Sequence, residues 1–246
     1  MKIIVPMAGR GSRFANRGFA TPKPLIEIGG KPMLYWALRS LADLDYCEVI
    51  FILLREHEEE YQVTANLPQW LPKPSIPFHT VLLDDVTEGQ LCTVLAAREY
   101  LTEEDVLIAA SDTYIPSQIG KAIQKHAGQA SGIISTINLP GDRWSFAKTE
   151  IGTDRVVEVA EKVRISDHCS TGLYYFASGK ELLHEGQAMI DRQETTRGEY
   201  YVIPVYQQLI AQGKDVFIAP EPAMWDMGTP EAKAEFEVFL DKEGLL

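Results

Sequence analysis

Residues 2–14 read KIIVPMAGRGSRF. KIIV (2–5) is a buried-strand pattern, and it empties into a loop holding two glycines and two arginines. The same kind of short, β-branched apolar run recurs as EVIFILL (48–54), HTVLL (79–83), DVLIAA (105–110) and GIISTI (132–137). Between these runs lie helical patterns: PMLYWALRSLADL (32–44), with Pro32 suited to a first turn, QLCTVLAAREYL (90–101) and SQIGKAIQKHAG (117–128). Strands alternating with helices predict an α/β protein with a mainly parallel sheet and helices on both faces.

The pattern changes after about residue 138. FAKTEIGTDRVVEVAEK (146–162) predicts a hairpin turning at Gly152-Thr153-Asp154. TGLYYFA (171–177) is a strand, 179–190 a helix, 198–213 a helical stretch ending on Gly213, DVFIAP (215–220) a last strand and 229–242 a last helix. The proline-rich LPQWLPKPSIPF (67–78) reads as a loop, and REHEEE (55–60) as a solvated helix start. No linker, repeat or low-complexity segment interrupts the chain. The fold class expected is a Rossmann-like three-layer sandwich with a mixed sheet and an added antiparallel hairpin region, as a single domain over 1–246.

Composition removes several functions. The net charge of −12 argues against binding the backbone of a nucleic acid. No apolar run reaches membrane-span length, and KIIV is too short for a signal-peptide core. Three scattered cysteines fit reduced thiols in a cytoplasmic protein, and the five histidines lack metal-ligand spacing. Residues 1–31 nevertheless carry Lys2, Arg10, Arg13, Arg17, Lys23 and Lys31 against Glu27 alone. A local basic patch on an acidic protein suits a small anionic ligand.

Four segments carry the chemistry. In MAGRGSRF (7–14), Gly9 and Gly11 let backbone amides face a phosphate. Phe14 replaces the third glycine of a dinucleotide fingerprint, and no Gly-Lys-Ser/Thr closes a P-loop. In TPKPLIEIGGKPML (21–34), Lys23 lies between two prolines on stiffened backbone, so Arg13 and Lys23 form a candidate cation pair. LIAASDTYI (107–115) ends a strand on Asp112, and MWDMGTPEA (224–232) places Asp226 before a helix start. A carboxylate at the carboxyl end of a central strand suits Mg2+, and a second before the helix start could complete its site. Each is also readable as an ordinary turn or cap residue.

Taken together, MAGRGSRF, TPKPLIEIGGKPML, EGQLCTV (88–94), LIAASD (107–112), VAEK (159–162), STGLYYF (170–176), GEYYVIP (198–204) and WDMGTPE (225–231) resemble the sugar-phosphate nucleotidyltransferases. The resemblance implies a nucleotide-diphospho-sugar transferase-like fold, with residues 1–138 as the nucleotide-binding half and 139–246 as the acceptor-binding half. It implies that Met7, Ala8, Gly9, Gly11, Ser12, Arg13, Lys23, Gly89, Gln90 and Ser111 contact a nucleoside triphosphate, with Arg13 and Lys23 catalytic. It implies that Asp112 and Asp226 hold Mg2+, and that Glu161, Lys162, Thr171, Gly172 and Trp144 face the phosphorylated acceptor.

The chain departs from the hexose-1-phosphate pattern at PMAGRGSRF, at Val163 after the Glu161-Lys162 pair, and at Arg143-Trp144 in the expected substrate-covering loop. PMAGRGSRF with PKPLI resembles members found among capsule and lipooligosaccharide genes. The acceptor is thus a sugar-1-phosphate or a phosphorylated alcohol or amide, and CTP or UTP is favoured over a purine, since Gln90 can meet a pyrimidine edge. Ending at Leu246, the chain is expected to lack the β-helix some relatives append. A homo-oligomer stays open. A glycosyltransferase of similar architecture is an alternative, although SDT (111–113) lacks its usual Asp-x-Asp. A silent binding module is another, although Arg13, Lys23, Asp112 and Asp226 are all present.

Overall fold

A computed structural model describes residues 1–245. Nine strands form the central sheet: β1 Lys2–Pro6, β2 Glu48–Leu54, β3 Phe78–Leu83, β4 Val106–Ala109, β5 Gly132–Ile137, β6 Ser145–Thr149, β7 Val156–Glu161, β8 Cys169–Phe176 and β9 Val216–Pro220. The spatial order along the main path is β7-β6-β8-β4-β1-β2-β3, with β5 also pairing β8 and β9 pairing β5. β1, β2, β3 and β4 run parallel, as do β5 and β9. β8 runs antiparallel to both β4 and β5, and so joins the two halves. The predicted mixed sheet and second-half hairpin are both present.

Alternating residues of each strand point to opposite faces. Ile4, Ile50, Ile52 and Ile108 pack on one face and Ile3, Val5, Phe51 and Leu107 on the other, all at most 1% exposed. The first face is covered by α4 Gln90–Leu95, α6 Gly179–Asp191 and α7 Ile203–Ala211. The second is covered by α1 Met33–Arg39, α3 Val63–Trp70 and α5 Ile119–Lys125. The predicted acidic helix is α2 Arg55–Tyr61, with no buried residue. A third apolar cluster, including Phe14, Ile28, Trp36 and Phe236, pins the N-terminal loops under the last helix, α8 Pro230–Lys242. The Trp36 indole donates to Ile28 O at 2.8 Å, so this aromatic is core, as its sequence context suggests.

Three boundaries differ from expectation. Residues 67–70 of the predicted loop belong to α3, with Pro68 inside it. Val63, Leu67 and Leu71 are buried at i, i+4, i+8 spacing. At about 1.5–3 kcal/mol each, that burial offsets the ~3 kcal/mol proline penalty. The stretch expected to be helical from Gly198 starts its helix only at Ile203, because Pro204 sits at the first turn and disfavours helix before it. The helix expected over 90–101 ends at Leu95 and resumes as a 3-10 turn, Arg98–Tyr100.

One buried carboxylate braces the second half. Glu221, just past β9, accepts from Gln118 N at 2.6 Å, Ser135 Oγ at 2.8 Å and Ser117 Oγ at 2.9 Å. Burial pushes its carboxyl above the ordinary range, and these donors only partly reverse that. The native state therefore keeps this proton to higher pH than the unfolded chain. Its contribution is fully present below about pH 4.5 and is lost as pH rises through the raised value. In thermal melts from about pH 4 to about pH 8, Glu221→Gln should gain on the wild type as pH rises; a pH-independent difference would refute this. Glu221→Ala should cost about 1–3 kcal/mol at about pH 4, by stranding the donors, and less as pH rises.

Candidate active site

The carboxyl ends of β1 and β4 open into a cavity of about 650 Å3. Met7, Ala8 and Gly9 from the loop after β1 line it, as do Lys23, Gly89, Gln90, Ser111 and Asp112. Seven of the expected nucleotide-site residues thus share one cavity with Asp112, the first expected metal ligand. Gly11, Ser12 and Arg13 do not line it. Gly11 sits at φ +61°, and a Cβ there would lie 2.8 Å from the Lys23 Cβ. Only glycine lets this loop close onto Lys23. The chain then enters a helical turn, Ser12–Ala15, that buries Phe14 and leaves Arg13 exposed. Arg10 lines the cavity instead, with its guanidinium on Asp85 at 2.8 Å.

Lys23 stands at the start of a 3-10 turn, Lys23–Leu25, with Pro24 at its first positions. Its ammonium forms an ion pair with Asp112. Burial tends to raise the Asp112 carboxyl, but the Lys23 ammonium and the Thr113 hydroxyl together hold it below the ordinary range. Trp225–Asp226 pairs antiparallel with Thr113–Tyr114, which brings the second aspartate beside the first. Asp226 Oδ1 accepts from Gly228 N at 2.9 Å and Oδ2 from Arg143 at 2.9 Å.

These residues suit a hard divalent cation. A Cβ placed on Gly228 would lie 2.7 Å from Asp226 Oδ1 and 3.4 Å from both Asp112 Oδ2 and Lys23 Nζ. Glycine leaves a small space faced by two carboxylates. Among the described residues, no cluster of three or more acid, His or Cys side chains forms a metal site. Two carboxylates alone match Mg2+ as bound beside nucleotides, where phosphates and waters supply the remaining oxygens.

The expected acceptor residues fall in three places. Glu161 and Lys162 lie at the end of β7, where Lys162 has φ +56°, a strained value for a side-chain-bearing residue. Its ammonium bonds the Tyr201 hydroxyl, which in turn donates to Glu199. Ser145 Oγ donates to Glu161. Burial pushes the Glu161 carboxyl up, countered in part by Ser145 and Lys162. Gly172 approaches the catalytic strand, its carbonyl accepting from Ala110 N at 3.1 Å. The Thr171 hydroxyl turns inward to Ser135 at 2.6 Å. Trp144 lines a neighbouring cavity of about 380 Å3 together with Asp226. Tyr201 and Glu199, which line the main cavity, carried no assigned role in the sequence; their signal was the quoted GEYYVIP segment. Arg10 was visible only as one charge of the basic patch.

The description "Nucleotidyl transferase" fits a family model matching residues 2–243, and the chain belongs to that family. It is 23% identical to the UTP–glucose-1-phosphate uridylyltransferase AglF of Haloferax volcanii, over 99% of this chain and 98% of that one. It is 24% identical to the glucose-1-phosphate thymidylyltransferase of Streptomyces griseus, over 88% of this chain and 59% of the relative. Several curated relatives are longer, and the chain spans about half to three-fifths of their length. Among solved structures, the nucleoside-diphosphate-sugar pyrophosphorylase of Vibrio cholerae superposes with a TM-score of 0.85 at 29% identity, covering 96% of this chain and 99% of that one.

Gly89 is the most constrained position in the cavity wall. Its φ is +141°, and a Cβ would lie 2.4 Å from Tyr200 O and 2.5 Å from Tyr200 N. Gly89→Ala should push away the 198–201 segment, cost about 1–3 kcal/mol in backbone strain alone and weaken nucleotide binding in calorimetry. Gly9→Ala meets nothing within 4 Å and should melt like the wild type. Equal melting of both variants would contradict this packing.

Proposed function

We propose that this protein is a Mg2+-dependent nucleotidyltransferase. It transfers a nucleoside monophosphate from a nucleoside triphosphate to a small phosphorylated acceptor and releases pyrophosphate. The acceptor is a sugar-1-phosphate or a phosphorylated alcohol or amide, the nucleotide is CTP or UTP, and the product serves surface polysaccharide synthesis. The observation that carries the reading is the convergence of Lys23, Asp112 and Asp226 around the space at Gly228, with Lys23 and Asp112 on the wall of the cavity that the glycine loop also lines. Named relatives that act on glucose-1-phosphate and mannose-1-phosphate support the acceptor class.

The reaction asks for positioning and charge neutralisation. A phosphate oxygen of the acceptor attacks the α-phosphorus, the bond to the β-phosphate oxygen breaks, and pyrophosphate leaves with that electron pair. The attacking oxygen is already anionic, so no general base is needed. Asp112 and Asp226 would hold Mg2+, which when bound neutralises phosphate charge. Lys23, freed from Asp112, contacts the triphosphate and stabilises charge on the leaving group, with Arg10 the further cation on the cavity wall. Lys162 orients the acceptor through its bond to Tyr201.

Pyrophosphate release with Mg2+ across CTP, UTP, dTTP, ATP and GTP, against hexose-1-phosphates and phosphorylated alcohols and amines, tests the class and names the substrates. Release should require one nucleotide, one acceptor and the metal. Lys23→Ala should then lower kcat about 10²–10³-fold, as loss of a transition-state donor does. Tight binding of a finished nucleotide sugar without pyrophosphate release from any pair would instead indicate a glycosyltransferase or a binding module.

A further inference from the structure

Arg143 is the one cation paired with the second aspartate. Its guanidinium bonds Asp226 Oδ2 at 2.9 Å and stacks on the Trp144 ring, 4.1 Å from its centroid. The side chain is half-exposed and free to swing, but its loop is fastened. Arg164 donates to Leu139 O at 2.7 Å and Gly141 O at 3.0 Å, and Lys162 N donates to Trp144 O at 2.9 Å. The last bond ties Trp144, the residue after Arg143, to the backbone of Lys162. Beside it lies the 380 Å3 cavity, floored by Trp144 and Trp225.

We infer that Arg143 binds the phosphate of the acceptor, and that in the free protein it is parked on Asp226 as a counter-ion. This rests on the nucleotidyl-transfer reading above. The physical argument is competition for one carboxylate. Asp226 Oδ1 faces the space shared with Asp112 while Oδ2 holds the guanidinium, so a divalent cation on Oδ1 draws charge from the carboxylate and weakens its hold on Arg143. When the cation takes Asp226, the Arg143 guanidinium is left with a weakened anion on the wall of the cavity that Trp144 and Asp226 also line. A planar fork matches a phosphate bidentately, and stacking on Trp144 keeps it aimed. Metal loading and acceptor binding are thereby coupled: the first releases the ligand for the second.

Arg143→Gln separates the two roles. Calorimetry with Mn2+ alone, without nucleotide, should show binding about two- to fivefold tighter than wild type, the size expected for breaking a half-exposed ion pair. In the pyrophosphate assay, the KM for the acceptor should rise about tenfold to hundredfold, while the KM for the triphosphate stays within about twofold. Arg143→Lys, which keeps the charge but loses the fork, should fall between. Unchanged or weaker Mn2+ binding would overturn the counter-ion role. A raised triphosphate KM with an unchanged acceptor KM would overturn the phosphate role. If the wild type itself releases pyrophosphate with no pair, the underlying reading fails and the phosphate role with it, while the Mn2+ titration still decides the counter-ion role.

Discussion

The ion pair between Lys23 and Asp112 fastens the site together. It joins the segment after the glycine loop to the end of β4, two parts of the chain 89 residues apart. An ammonium and a carboxylate taken mostly out of water are costly unless each has its partner. Here the geometry around them is fixed by small residues: Gly11 lets the loop close on Lys23, and Gly228 leaves the space that both aspartates face. Removing either charge would leave the other stranded in that space. The same pair explains why the Asp112 carboxyl stays ionised despite burial, which is the form a metal ligand must have.

The parallel half of the sheet was legible because its strands are buried on both faces. Such strands read as unbroken apolar runs, and EVIFILL is buried from Val49 to Leu54. Asp112 was legible for a topological reason: a carboxylate just past a strand end faces the ligand crevice of an open α/β sheet. What sequence could not resolve was rotation. MAGRGSRF offers two arginines, and nothing in the string says which one faces the phosphates. In the folded chain the helical turn after Gly11 must bury Phe14, and this swings Arg13 outward while Arg10 stays on the cavity wall. The segment at Gly198–Tyr201 was misread as helix for a related reason. Its apolar and aromatic residues fit a helix locally, but its backbone is committed elsewhere: Tyr200 bonds Glu88 O and Leu91 N across the cavity wall.

β8 determines how the two halves meet. It runs antiparallel between β4 and β5, so Phe176 faces Val106 on one side and Gly132 on the other. The register shifts between Ser170 and Tyr174, around Gly172. That irregularity carries the Gly172 carbonyl onto Ala110 N, the residue two before Asp112. The acceptor-side strand is therefore hydrogen-bonded directly to the backbone that presents the first aspartate. Behind it, Thr171 and Ser135 pass the contact to Glu221. The inward turn of Thr171 is best understood as part of this brace, with Tyr201 and Glu199 on the cavity wall.

The charges at the centre cancel in pairs: Lys23 with Asp112, and Arg143 with Asp226. A site that binds several phosphate anions and a divalent cation must exclude water yet remain stable when empty. Isolated cations aimed at an empty cavity would carry a large desolvation cost. Pairing each cation with a future metal ligand avoids that cost without adding any further residue. In the proposed reaction, binding would be an exchange of partners, with the carboxylates passing to the metal and the cations to the phosphates.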